Sequence, residues 1–254
     1  FTMLGAQRGS EFMKIMAEMF GEAPSAEEFT EWAQWINYDG YRAMFESSQT
    51  CRQGLLIWMS HPCWPSMVWQ TYDYYFDPTA AYFGTKKACE PVHIQYNPLA
   101  EKVQLVNISR KDFTSVEAYA EVLDIYGRQI SADTCTTPLP VDTTLNVMDV
   151  RVPEGQDAYY LRLSLKADGE VLSENFYVRS AGDSGLKSLL SLPAAEVNVK
   201  TRFRKHDGTV TCNALVSNDS DVPAMMLRLN LKGTDGEQIL PAFYSDNYFH
   251  LMPG

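Results

Sequence analysis

The strongest constraint in this chain is a change of pattern at Pro91. From Val92 onward apolar residues alternate with polar ones, as in Val92-x-Ile94-x-Tyr96, Lys102–Asn107, Val116–Val122 and Tyr159–Leu165. Successive side chains of a strand point to opposite faces, so this period of two marks strands with one face buried. Turn residues punctuate them at Asn97-Pro98, Tyr126-Gly127, Pro153-Glu154-Gly155 and Asp168-Gly169, and Val171–Val178 closes the set. About seven short strands in this span predict an antiparallel sandwich of immunoglobulin type, without the Cys…Trp…Cys core of a true immunoglobulin domain. Ala181–Ser191, rich in Gly and Ser, reads as a linker. Strand patterning resumes at Val197–Phe203, turns at Asp207-Gly208, and continues through Thr209–Val216 to a strand near Met226–Leu231.

Before Pro91 the pattern is helical. Ser10–Phe20 carries Phe12, Met13, Ile15, Met16, Met19 and Phe20 at helical spacing and stops at Gly21 and Pro24. Ser25 with Glu28 forms a capping box that opens a second helix to about Ser47, with Phe29, Trp32, Ala33, Ile36 and Met44 on one face. Gly40 inside it costs about 1 kcal/mol relative to Ala, so a close packing contact is expected there. The run Leu55–Met59, between Gly54 and the His61-Pro62 break, predicts a buried strand, and Thr79–Glu90 a helix stopped by Pro91. One strand cannot satisfy its own backbone groups, so this portion needs neighbouring strands.

The residues around that lone strand carry a family pattern. Trp58-Met59, Cys63-Trp64-Pro65-Ser66, Trp69-Gln70-x-Tyr72-Asp73-Tyr74-Tyr75, Ala81-Tyr82-Phe83-Gly84-x-Lys86-Lys87 and Glu90-Pro91-x-His93-Ile94-Gln95 follow in order. Together they resemble the last β-α unit of the catalytic barrel in glycoside hydrolase family 2. The branch is that of the exo-β-glucosaminidases and mannosylglycoprotein endo-β-mannosidases. Leu240–Tyr248 resembles the last immunoglobulin-like domain of the same branch, where a Pro-Gly turn like Pro253-Gly254 precedes further strands. The fold this implies is mixed α/β plus all-β: the end of a (β/α)8 TIM barrel over 1–90, an immunoglobulin-like β-sandwich over 91–182, and an incomplete second one over 183–254. The start at Phe1, with no initiator methionine or signal peptide, fits a piece of something longer.

The resemblance implies a retaining β-glycoside hydrolase, which works with two carboxyl groups about 5–5.5 Å apart. In the family both are glutamates on earlier barrel strands, so the catalytic pair is expected upstream and this chain alone is predicted inactive. Glu27, Glu28, Glu31 and Glu46 read as solvated or capping, and Glu90 as structural. What the chain offers is the sugar-site floor. Trp58 is either an aromatic platform under the sugar or only core, and Trp64 is sugar-facing or packing. His61 is a hydrogen-bond contact to substrate, although relatives tend to carry Asn there. A flat indole suits the C–H face of a pyranose. Trp69, Tyr72 and Tyr75 are expected to pack the barrel end against the next domain. A stand-alone carbohydrate-binding or structural β-sandwich module is the alternative.

The partners implied are a β-linked oligosaccharide and the remaining N-terminal part of the parent enzyme, in a secreted or periplasmic setting. A net charge of −11 disfavours nucleic acid and anionic membrane. No apolar run approaches the roughly eighteen residues of a membrane span. Cysteines 51, 63, 89, 135 and 212 lack metal-ligand spacing and read as mostly buried thiols; no metal or cofactor is expected. His93, His206 and His250 carry no signal. Asn107-Ile108-Ser109 and Asn218-Asp219-Ser220 match the N-glycosylation acceptor, a pattern common by chance.

Overall fold

A computed structural model describes residues 9–51, 54–65, 70–151, 155, 157–180 and 185–254, without side-chain detail at 48–51. Seven strands follow Pro91: β1 (Val92–Asn97), β2 (Lys102–Asn107), β3 (Phe113–Leu123), β4 (Gln129–Leu139), β5 (Thr143–Asp149), β6 (Ala158–Ala167) and β7 (Glu170–Ser180). They form two antiparallel sheets, of order β1-β2-β5 and β4-β3-β6-β7, closed over one core. Alternation decides which residues enter it. On β6 Tyr159, Leu161, Leu163 and Leu165 point into the sandwich, while Ala158 and Tyr160 belong to a second core outside it. The β6–β7 hairpin turns at Asp168 (φ 52°) and Gly169 (φ 80°), the positive pair a two-residue primed turn requires.

The second core is where the helices attach. Helix α1 (Gly9–Met19) and helix α2 (Ala26–Cys51) place Met16, Phe20, Trp32 and Trp35 against Tyr160 and Val178. Ser25 caps α2, its hydroxyl oxygen accepting the Glu28 N–H at 3.1 Å. The Glu28 carboxylate returns to the Ser25 hydroxyl at 2.8 Å instead of the backbone N–H a full capping box uses. Helix α3 (Ala80–Ala88) lies on α2 through Gly84, where an added Cβ would stand 2.3 Å from the Tyr38 carbonyl oxygen. The expected close contact at Gly40 is not found: among the described residues nothing lies within 4 Å of its Cβ direction. The glycine that packs is Gly84.

The last stretch is built of hairpins. Strands β8 (Val197–His206) and β9 (Thr209–Asn218) pair around Asp207-Gly208, and β10 (Ala224–Leu227) pairs with β11 (Phe249–Leu251). Part of the expected linker is structured, since Lys187–Ser191 forms a 3-10 turn and buries Leu189 beside Leu186 and α1. The strand expected at Leu55–Met59 does not form. Residues 54–57 have no regular structure, no described strand pairs with them, and Leu56 and Trp58 are exposed. A strand needs hydrogen-bonded neighbours, and the described residues supply none here.

Candidate functional site

The exposed aromatic face rests on a tightly tied loop. The Ser60 carbonyl accepts the Tyr72 N–H at 3.0 Å and the Thr71 hydroxyl at 3.2 Å, closing the base around His61–Pro65. The Thr79 hydroxyl donates to the Gln70 and Thr71 carbonyls at 2.9 and 3.1 Å and joins this base to the start of α3. Between them lies a turn centred on one carboxylate. Asp73 Oδ1 accepts the N–H groups of Tyr75 (2.8 Å) and Asp77 (2.9 Å), while the Asp73 N–H donates back to the Asp77 carbonyl at 3.0 Å. Aspartate suits this position because its short side chain bonds its own backbone two residues on.

That turn holds Phe76 at φ 68°, in the left-handed region. Its ring stacks on His61 with centroids 4.3 Å apart and planes 14° from parallel. His61 Nε2 lies 3.2 Å from the Tyr74 carbonyl oxygen, and a carbonyl only accepts, so that nitrogen carries the proton. The sequence-predicted positions then divide. His61 is half-buried and fixed; Trp58 is 80% exposed and Trp64 63%. Of the residues expected to pack, Tyr72 meets Tyr82 at 5.3 Å, but Tyr75 is exposed; Trp69, like Ser66, lies outside the described residues.

A cleft of about 420 Å³ runs beside this loop. Tyr72, Tyr75, Phe76 and Tyr82 form one wall, and Leu240–Tyr244 the other, with Phe243 95% exposed at its lip. Flat rings presented to solvent can cover the apolar face of a sugar, and tyrosine hydroxyls can bond its edge. Among the described residues that line the cleft there is no carboxylate and no histidine.

Carboxylates are paired elsewhere. Glu46 on α2, expected to be solvated or capping, is buried, and its Oε1 accepts hydrogen bonds from Tyr177 (2.7 Å), Asn175 (2.9 Å) and His93 Nε2 (3.2 Å). His93 Nδ1 meets Glu90 Oε2 at 3.1 Å, and Ser173 donates to the same oxygen at 2.6 Å. Arg42, fully buried, bonds Asn175 Oδ1 at 3.0 Å and pairs with Asp39. Burial pushes the Glu46 carboxyl up, but the His93 hydrogen bond and the Arg42 charge outweigh it, leaving it below the usual carboxylate range. Burial pulls His93 down, yet the hydrogen bonds to Glu46 and Glu90 raise it overall. Nothing in the chain's order signalled this cluster, because α2, β1 and β7 meet only in the fold. The cluster joins α2 to β1 and β7 of the sandwich.

The remaining marked residues are structural as well. Asn107 and Asn218 are buried, and each donates to two carbonyls, Lys111 and Leu139 for the first, Val222 and Leu251 for the second. The thiols are less hidden than expected, since Cys63, Cys89 and Cys212 are exposed and Cys135 half-buried. Edge-strand and loop positions account for that. Among the described residues no three His, Cys, Asp or Glu side chains are grouped to hold a metal ion.

Comparison with known proteins gives a consistent picture. Residues 175–254 match the family described as "Exo-beta-D-glucosaminidase Ig-fold domain". An exo-β-D-glucosaminidase of Arthroderma benhamiae is 30% identical over 96% of this chain and 30% of its own length. A mannosylglycoprotein endo-β-mannosidase of Lilium longiflorum is 24% identical over 93% of this chain and 32% of its own. The crystal structure of an exo-chitosanase from Amycolatopsis orientalis superposes with a TM-score of 0.87 at 25% identity, over 96% of this chain and 32% of that one. The chain thus spans about 30% of the length of the curated relatives it matches.

Proposed function

We propose, from the premise that this chain is related to the exo-β-D-glucosaminidases of glycoside hydrolase family 2, that it is the C-terminal portion of a retaining β-glycoside hydrolase. In this reading residues 1–90 close a TIM barrel whose earlier strands lie upstream, 91–182 form the first immunoglobulin-like sandwich, and 183–254 begin a second. The substrate is a β-linked glucosaminide or mannoside, in a secreted or periplasmic setting. The catalytic carboxylates belong to the upstream part, where one attacks the anomeric carbon and the other protonates the leaving oxygen.

This chain supplies the floor of the site. Trp58 and Trp64 stack against the sugar ring, exclude water from the developing charge, and leave His61 to meet a hydroxyl. The observation that carries this is the exposed aromatic face itself, on a loop tied by hydrogen bonds at both ends. Among the described residues 54–59 has no strand partners, and in this reading the upstream barrel strands provide them.

The test compares two polypeptides on an aryl β-glucosaminide. The full-length enzyme turns it over, and the 254-residue chain alone does not. Turnover by the isolated chain that disappears in Trp58→Ala contradicts the division of labour. The aromatic cleft facing Phe243 favours, as a second reading, a non-catalytic carbohydrate-binding module. Tight oligosaccharide binding by the isolated chain supports it.

A further inference from the structure

The aromatic loop is gripped from the far end of the chain. Arg228, just past β10, pairs through Nη2 with Asp77 Oδ2. The Asp77 side chain is 8% exposed, so the pair is little screened on that side. Arg228 is itself fixed. Its guanidinium lies 5.8 Å from the Tyr248 ring, and its neighbour Leu229 exchanges two hydrogen bonds with the Asn247 side chain, at 2.7 and 3.0 Å.

From Asp77 the contacts run without a gap to the proposed sugar face. The backbone of Asp77 bonds Asp73 in both directions and closes the turn. The turn sets the left-handed Phe76, Phe76 stacks on His61, and His61 donates to Tyr74 within the turn. Lys86 adds a second tie, donating to the Tyr244 carbonyl at 3.3 Å and to that of Ser245. Both ties join the Thr71–Ala88 unit to the stretch between β10 and β11.

We infer that Arg228 is a positioning residue: it touches no sugar, and through Asp77 and the 73–77 turn it fixes the His61–Phe76 stack beside which Trp58 and Trp64 are displayed. This rests on the reading of that face as sugar-binding. A binding constellation held loosely by its supports loses affinity even when every contact residue is present. The pair is ionic on a buried carboxylate, so a lysine retains part of the grip and alanine none.

The experiment uses the full-length enzyme with its other cysteines replaced by serine, so that Cys63 alone carries a nitroxide spin label, and KM is read on the unlabelled protein. Cys63 is exposed and lies between His61 and Trp64, so the label reports loop order. Arg228→Ala is expected to raise label mobility and to raise KM for a β-1,4-linked glucosamine disaccharide about tenfold, with a much smaller change in kcat. Arg228→Lys is expected to restore most of both. Unchanged label mobility in Arg228→Ala overturns the inference. So does a mobile label with unchanged KM, provided Trp58→Ala still impairs the enzyme. If Trp58→Ala also leaves KM and kcat unchanged, the sugar-facing reading has failed instead. Should Arg228→Ala not fold, Asp77→Asn, which removes the charge and keeps the shape, is expected to give the same two effects.

Discussion

The His93 imidazole stands between Glu46 and Glu90, its Nε2 3.2 Å from one carboxylate and its Nδ1 3.1 Å from the other. Carboxylate oxygens face both nitrogens, so they favour the protonated ring and raise His93 against the pull of burial. Glu46 comes from α2, and His93 and Glu90 from the start of the sandwich. The joint between the helices and the β-sandwich is therefore an enclosed charge network.

That network should show in the pH dependence of stability. His93 is raised above its ordinary 6.5, so its contribution is complete below 6.5 and fades as pH climbs through the folded value. Glu46 and Glu90 are lowered from 4.5, so theirs is complete above 4.5 and fades as pH falls. The combined contribution is largest between 4.5 and 6.5. Removing one member strands a buried charge and costs about 3–5 kcal/mol. Denaturant unfolding of wild type and His93→Gln across pH 4–8 checks this: the gap between them should narrow as pH rises beyond 6.5.

His250 has the opposite sign. It accepts the Met226 N–H at Nδ1 (3.2 Å) and packs beside Phe176 and Trp35; burial and then the Arg42 charge push it down to about 3. The unfolded chain takes up a proton near 6.5 and the folded one does not, so stability is lost as pH falls from 6.5 towards 3. One proton contributes a slope of up to about 1.4 kcal/mol per pH unit. In His250→Asn, which keeps an acceptor for Met226, melting temperature should vary less with pH over that range.

Two glycines predict opposite outcomes. Gly84→Ala drives a methyl into the Tyr38 carbonyl, and prising α3 from α2 should cost about 1–3 kcal/mol. Gly40→Ala meets open space inside α2 and should stabilise by up to about 1 kcal/mol. Urea midpoints of the two variants settle both.

Neither acceptor asparagine should carry a glycan once the chain is folded. Asn107→Ala and Asn218→Ala should instead destabilise, by about 1–3 kcal/mol each, because each buried amide ties two backbone carbonyls that then lose their donor. Intact mass from a glycosylating host, with the melting temperature of each variant, checks it.

How much of this was legible depended on range. Period-two runs and the Asp168-Gly169 and Asp207-Gly208 turns are local signals, and they placed β1–β3, β6–β9 within a few residues. Strand β4, QISADTCTTPL, was not marked, because an edge strand with polar residues on both faces lacks alternation. Leu55–Met59 read as a buried strand because its apolar run is real, but strand formation depends on partners that the described residues lack. The Arg42–Glu46–His93 cluster joins residues far apart in the chain, where no spacing rule reaches. On the candidate site the aromatic residues stood out by type, whereas the Asp73 turn and the Arg228 grip needed coordinates.

The most direct measurement is kcat/KM of Trp58→Ala in the full-length enzyme on an aryl β-D-glucosaminide, with melting temperature as the control. A fall of about tenfold or more, the stacking worth of one aromatic platform, at unchanged melting temperature is the predicted result. An unchanged kcat/KM contradicts the placement of Trp58 beneath the sugar, and with it the function proposed for this face.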